Sequence, residues 1–237
     1  MSDSAALDSF LEKWRARWPE WSVAEIFVPA ERRERAVAWF ALLQEFDDAL
    51  NIAGDPLPAD AKLAWWGEEL RGWAARRSRH PLGRRLEPIR APWEQLAEAL
   101  PALAPARMPT RDGDAAFASL SAFAEAVVAV EADVLGRAAE PGAVIAHTLA
   151  IRLMDVGATA VPYDLGASVH GDPARLRAWA DHLRDRGGDL RQGARERRIL
   201  SSFAFGRLLR HARAGQPAPL PSPPRLLFTA WRAVRGG

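Results

Sequence analysis

Apolar side chains in this chain return every three to four residues, the spacing of a helix face. The clearest run is 30–51, entered through Pro29, where Ala36, Val37, Phe40, Ala41, Leu43 and Leu50 recur at helical intervals. A first helix is predicted over 3–17, stopped by Pro19. Another is predicted over 60–77, with Asp60 as its N-cap. Shorter helices at 82–89 and 93–100 lie between prolines, and 101–109 reads as a loop or a broken turn. Long helices follow over 115–136, 142–157, 173–186 and 191–214, the last two with strong arginine faces. A proline-rich stretch, 216–224, precedes a closing amphipathic helix at 225–235. Alternating β-branched runs are rare and Asn-Gly hairpin turns are absent, so strands are not expected. No internal repeat is visible. The pattern describes one all-α domain over 1–237, its helices long enough to bundle around a central cavity.

Composition narrows the chemistry. At 237 residues the chain can bury a sizeable core, and its 49% apolar and 26% charged residues are ordinary for a globular protein. It has no cysteine, which excludes disulfides, thiolate catalysis and Cys-based zinc sites. The N-terminal segment lacks the basic-then-apolar layout of a signal peptide, and no apolar run approaches the ~18 residues of a membrane span. A cytoplasmic protein is expected, with contact to the inner membrane face as a peripheral option. The net charge of +2 hides an asymmetry: residues 1–70 carry 7 basic and 14 acidic groups, and 71–237 carry 25 and 16. The basic groups are nearly all arginine, which suits bidentate phosphate binding but also serves plain solvated helix faces. Arg76, Arg77, Arg79, Arg84 and Arg85 form the densest basic stretch, a candidate for anionic lipid. Nucleic acid is not expected as a partner, because total charge is near neutral and no binding motif occurs. Most of the ten tryptophans are expected in the core, His80 is expected to be structural beside Pro81, and His147 to be a satisfied core or cavity residue. Gly-rich phosphate loops, HExxH and a serine-nucleophile elbow are absent.

The residues that carry chemistry are acidic. Asp47 and Asp48 end the 30–51 helix, and Asn51 lies one turn beyond them on an adjoining part of the same face. Mg²⁺ favours one or two carboxylates together with substrate phosphates, so this spacing suits diphosphate chemistry.

Four stretches also carry a family resemblance. VPAERRERAVAWFALLQEFDDALN resembles the first aspartate-rich helix of the squalene/phytoene synthase family, where a proline and an arginine-bearing segment lead to DDxxD. LAWWGEELRGWAARRSRHPLGRRLEPI matches the segment that follows it. IRLMDVGATAVPYDLGASVHGDP is similar to the second aspartate-rich helix, and FAFGRLLRHARAGQPAPLPSPPRLLFTAWRAV to the final two helices. The resemblance implies a head-to-head prenyltransferase of isoprenoid biosynthesis: an isoprenoid-synthase-like bundle with two aspartate-rich helices facing each other across an apolar cavity. Mg²⁺ held by Asp47, Asp48, Asn51 and Asp155 would bridge to prenyl diphosphates, with Arg32 and Arg35 on the diphosphate. Arg32, Arg33 and Arg35 equally suit a solvated face with Glu31 and Glu34.

Departures from the family pattern fall on that chemistry. Asn51 replaces the distal aspartate of the first motif, keeping an oxygen ligand but losing its charge. Thr159 stands where the second motif has a further aspartate, and Met154 and Gln44 stand where arginines are usual. Glu131 lies where small residues line the substrate channel, a costly place for a carboxylate unless it is paired. Two functions follow as expectations. One is a catalytically impaired, divergent relative with a lipid- or prenyl-binding, assembly or regulatory role and a protein partner. The other is an active Mg²⁺-dependent prenyltransferase.

Overall fold

Proline and glycine punctuation divides the chain as the spacing predicts. The computed structural model describes residues 3–168, 171–187, 192–215 and 219–235, and among these it has thirteen α-helices and no strand. They are α1 (Asp3–Arg17), α2 (Glu20–Ala24), α3 (Ala30–Leu50), α4 (Leu57–Ala74), α5 (Gly83–Leu86), α6 (Trp93–Ala99), α7 (Gly113–Ser119), α8 (Ser121–Leu135), α9 (Pro141–Val156), α10 (Tyr163–Ser168), α11 (Asp172–Arg186), α12 (Arg195–Ala214) and α13 (Pro223–Arg235). Short 3₁₀ turns join several of them, including Leu100–Leu103 and Pro105–Arg107, so 101–109 is the broken turn rather than the open loop. The start of the 191–214 helix and residues 216–218 of the proline-rich stretch lie outside the described residues.

The bundle is built around α3, which packs against α1, α4, α5, α8 and α9. Seven consecutive residues, Ala36 to Leu42, are buried, as expected for a helix surrounded by others rather than lying on a surface. Phe40 stacks on Trp14 at 5.8 Å and meets Trp21 edge-on at 5.6 Å; Phe46 meets Trp66 at 6.0 Å and Phe123 at 6.2 Å. Such aromatic pairs add about 0.5–1.5 kcal/mol each beyond the area they bury. Eight of the ten tryptophans are buried, and only Trp65 and Trp231 are exposed. His80 is structural as expected: its ring packs 4.4 Å from Phe10 and 4.6 Å from Trp66, and its Nδ1 accepts the Leu82 N–H at 3.2 Å.

Several local expectations change. The 115–136 helix is two helices bent by 52° at Leu120. Serines flank the bend: Ser119 Oγ donates to the Ala116 carbonyl at 2.8 Å and Ser121 Oγ to the Phe117 carbonyl at 3.3 Å, the hydroxyl back-bonding that bends helices. Asp60 is not an N-cap. The helix starts at Leu57, where Asp55 accepts the Leu57 N–H at 3.0 Å, and Asp60 pairs with Arg107 at 2.5 Å instead. Pro141–Ala160 is long and apolar enough by length and composition to cross a bilayer, which the sequence reading missed because Arg152 and Asp155 interrupt the run. In the fold it is a core helix, packed against α3, α8, α11 and α12. The dense basic stretch is largely tied down: Arg79 pairs with Glu69 at 3.1 Å, Arg85 with Glu34 at 2.7 Å, and Arg76 donates to the Glu87 carbonyl.

Candidate functional site

The C-terminal ends of α3 and α9 bring the predicted carboxylates together. Asp48 and Asp155, far apart in sequence, meet across a single guanidinium. Arg17, at the last residue of α1, donates Nη1 to Asp48 Oδ1 and Nη2 to Asp155 Oδ2, both at 3.0 Å. The planar guanidinium thus bridges two carboxylates with one N–H bond to each, a fixed fork that lysine does not supply. Asn51 also reaches Asp155, its Nδ2 donating to Oδ2 at 3.3 Å, while its Oδ1 accepts from Arg152 at 3.3 Å. Gln44 Nε2 donates to Asp48 Oδ1 at 3.0 Å, and Gln44 Oε1 accepts from the Trp18 indole at 3.4 Å.

Asp47 is buried, only 9% exposed. Burial pushes its carboxyl up to about 8, helped by the charges of Asp48 and Asp155 and opposed by Arg17 and Arg197. Burial likewise raises Asp155, against the pull of Arg17. The other predicted positions lie elsewhere. Thr159 gives its hydroxyl to the Val156 carbonyl at 2.8 Å and closes the end of α9. Arg32 donates to the Leu135 carbonyl at 3.3 Å and lies 3.9 Å from Glu196. Arg35 Nε is buried without an acceptor among the described residues. Helical rise places Arg32 and Arg35 roughly 18–22 Å along α3 from Asp47, so they do not join the carboxylates.

Three arginines that the sequence reading did not single out organise the region. Arg17 joins the two acidic helices. Arg152 Nη1 donates to the Leu50 carbonyl at 3.2 Å and its Nη2 to the Arg107 carbonyl, closing the end of α3. Arg197 is the partner that Glu131 requires. Its Nε lies 2.9 Å from Glu131 Oε2, its Nη2 bonds the same carboxylate, and Trp39 Nε1 adds a third donor at 3.0 Å. The pair is sealed, with side-chain exposures of 4% and 0%.

Above Asp47 lies the central cavity, lined among others by Trp14, Trp18, Phe40, Phe123, His147 and Arg197. Its volume is about 20 Å³, room for about one water molecule and far below the roughly 300–1,000 Å³ of ligand pockets. Trp14 of α1, Trp18 just after it and Arg197 of α12 are among its lining. His147 stacks with Trp18 at 6.4 Å, and burial pushes its imidazole down to about 3. It is a cavity residue as expected, but its Nδ1 has no partner among the described residues. Beside Asp155, a groove of about 390 Å³ is lined by Arg17, Arg207 and Arg210, by the carboxylates Glu20 and Asp155, and by Met154, among others. Arg207 is engaged there with Glu20 and with the Arg17 carbonyl at 2.9 Å.

The residues present do not fit a divalent ion well. Among the described residues no group of three or more His, Asp or Glu side chains is placed to hold a metal. The cation between Asp48 and Asp155 is Arg17.

Neither a family model nor a curated protein sequence matches the chain. Among solved structures, squalene synthase HpnC from Alicyclobacillus acidocaldarius aligns with 96% of this chain and 94% of its own length, at a TM-score of 0.53 and 20% identity. The chain therefore has the fold of that squalene synthase: the all-α bundle that its helix spacing predicts and the isoprenoid-synthase-like architecture that the resemblance implies.

Proposed function

We propose that this chain is a squalene/phytoene-synthase-like protein that does not condense prenyl diphosphates and serves as a lipid-binding or assembly component beside isoprenoid-forming enzymes. One observation carries the reading: the Arg17 guanidinium stands between Asp48 and Asp155, at 3.0 Å from each. Those are the carboxylates that Mg²⁺ would need to bridge to a substrate diphosphate, and a tethered cation already compensates them. The interior supports the same reading, because a prenyl chain cannot enter a cavity of about 20 Å³ unless Trp14, Trp18 and Arg197 withdraw. The outer groove of about 390 Å³ offers arginine and apolar side chains together and is the better-sized place for an amphipathic anion.

The test is incubation with farnesyl diphosphate and geranylgeranyl diphosphate in the presence of Mg²⁺, with pyrophosphate release followed over time. No turnover above the protein-free control is expected. Sustained turnover that Asp47→Ala abolishes would overturn the reading and restore the active transferase. Calorimetry with a non-hydrolysable farnesyl diphosphate analogue addresses binding, for which Mg²⁺-independent heat that weakens in Arg210→Ala is expected.

A further inference from the structure

The C-terminal helix has a face that the bundle does not use. α13 packs on α12 and α2 through Leu226 and Ala230, which are 3% and 0% exposed. On its opposite side Phe228 and Trp231 are 54% and 39% exposed, stacked on each other at 5.7 Å. Residues three and four apart share a helix face, so Arg225, Arg232 and Arg235 flank this pair, and all three are exposed. Arg232 lies over the Phe228 ring at 6.0 Å and Arg235 over the Trp231 ring at 4.5 Å. An aromatic pair within a ring of guanidinium groups is the composition of a helix that lies in a bilayer interface, rings at headgroup depth and cations at the phosphates.

The surroundings continue the charge. From residue 199 to 237 the sequence holds six arginines and no aspartate or glutamate. Beside α13 a groove of about 270 Å³ is lined by three arginines, Arg210, Arg213 and Arg225, and one carboxylate, Glu20, among others. Glu20 is held by Arg207, and Arg210 Nε has no acceptor among the described residues. This contrasts with the denser basic stretch of 76–85, where Arg79 and Arg85 are held by carboxylates. The helix is long enough for a surface site, at 13 residues, and too polar to span.

We infer that the outer face of α13 docks this protein onto an anionic lipid bilayer, with Phe228 and Trp231 entering the interface and the adjacent arginine-lined groove receiving a lipid phosphate. This goes beyond the functional reading above and does not depend on whether the interior is catalytic. A duplex nucleic acid would also answer the charge, but it gives the exposed aromatic pair no apolar medium to enter.

The test is co-sedimentation of the full chain with vesicles of equimolar phosphatidylcholine and phosphatidylglycerol, against vesicles of phosphatidylcholine alone. Binding to the anionic vesicles is expected to be stronger by roughly 100-fold, the product of three near-surface arginines. Phe228→Ala/Trp231→Ala is expected to weaken it at least about tenfold, and Arg225→Gln/Arg232→Gln/Arg235→Gln to remove most of the difference between the two vesicle types. All five side chains are exposed, so both variants are expected to keep the wild-type melting temperature. Undiminished binding by the aromatic variant would overturn the proposal. So would equal binding to both vesicle types, absence of binding to either, or binding to a DNA duplex without binding to vesicles.

Discussion

Replacing Arg17 by alanine separates the two roles that the carboxylates of this fold can take. Arg17 is 39% exposed in its side chain and makes two ion pairs, with Asp48 at 25% and Asp155 at 32% exposure. Half-exposed pairs of this kind contribute about 0.2–1 kcal/mol each, so the two together stabilise by about 1 kcal/mol. For a domain of this size that corresponds to a loss of about 2–4 °C in melting temperature. The larger consequence is chemical. Without the guanidinium, Asp48 and Asp155 face one another with only the Asn51 and Gln44 amides between them, and Asp47 lies beneath. Such a cluster is expected to recruit Mg²⁺, and at ten times its dissociation constant the ion would return about 1.4 kcal/mol of stability. The assay is thermal unfolding of wild type and Arg17→Ala across a Mg²⁺ titration at constant ionic strength. Wild type is expected to be indifferent to Mg²⁺ and the variant to recover most of its loss. Equal Mg²⁺ stabilisation of both proteins would refute the reasoning, because it would mean that the ion binds with Arg17 in place.

Two further outcomes test the interior. Arg197→Ala leaves Glu131 fully buried with a neutral indole as its main donor, and breaking a buried pair in this way costs about 3–5 kcal/mol, or about 6–20 °C in melting temperature; Arg197→Met/Glu131→Leu is expected to unfold in urea within about 1 kcal/mol of wild type or later, and a loss equal to that of the single variant would show that the pair is worth more than its desolvation. His147, ordinarily near 6.5 and held down at about 3 by burial, protonates in the unfolded chain before the folded one. Its contribution to stability is therefore complete above about pH 6.5 and is lost as pH falls toward 3, with a slope of at most about 1.4 kcal/mol per pH unit. His147→Phe is expected to remove that slope from the difference between variant and wild type, and parallel urea midpoints between pH 7 and 4 would count against a buried neutral imidazole.

The helices were legible in the sequence because they rest on local periodicity, and the meeting of the two acidic ones because the resemblance implies it. The run through Ala36, Val37 and Phe40 places α3, and Asp47 and Asp155 sit at equivalent ends of α3 and α9. Glu131 was legible as a problem, since an unpaired carboxylate cannot remain in an apolar helix, but its solution was not. Arg197 lies 66 residues later on a face that looks like any other arginine-rich surface. Arg17 is 138 residues from Asp155, and no spacing rule joins them. The cavity volume was equally hidden, because it depends on how far the indoles of Trp14 and Trp18 reach into the bundle and not on their identity. The bend at Leu120 needed the hydroxyls of Ser119 and Ser121 to be weighed against an otherwise continuous apolar pattern.

The charge arithmetic of the site explains how its buried carboxylates and Asn51 are compatible with one another. A buried carboxylate must be neutralised by a proton, a metal or a paired cation. Here Asp47 takes a proton, Glu131 takes Arg197, and Asp48 and Asp155 share Arg17. Each of these four carboxylates is then accounted for without an ion from solution. A further aspartate at 51 would lie against Asp155 Oδ2, where the Asn51 amide now donates at 3.3 Å, and would add a negative charge that Arg17 is already divided between two carboxylates to meet. Arg152 offers little relief, since its other bonds go to the Leu50 and Arg107 carbonyls. Asn51 is thus the side chain suited to a site closed by arginine, as an aspartate would be to a site closed by Mg²⁺. The amide at 51 and the guanidinium between the helices are one arrangement, and Asn51→Asp is tolerable in it only if Arg17 yields its place to an ion.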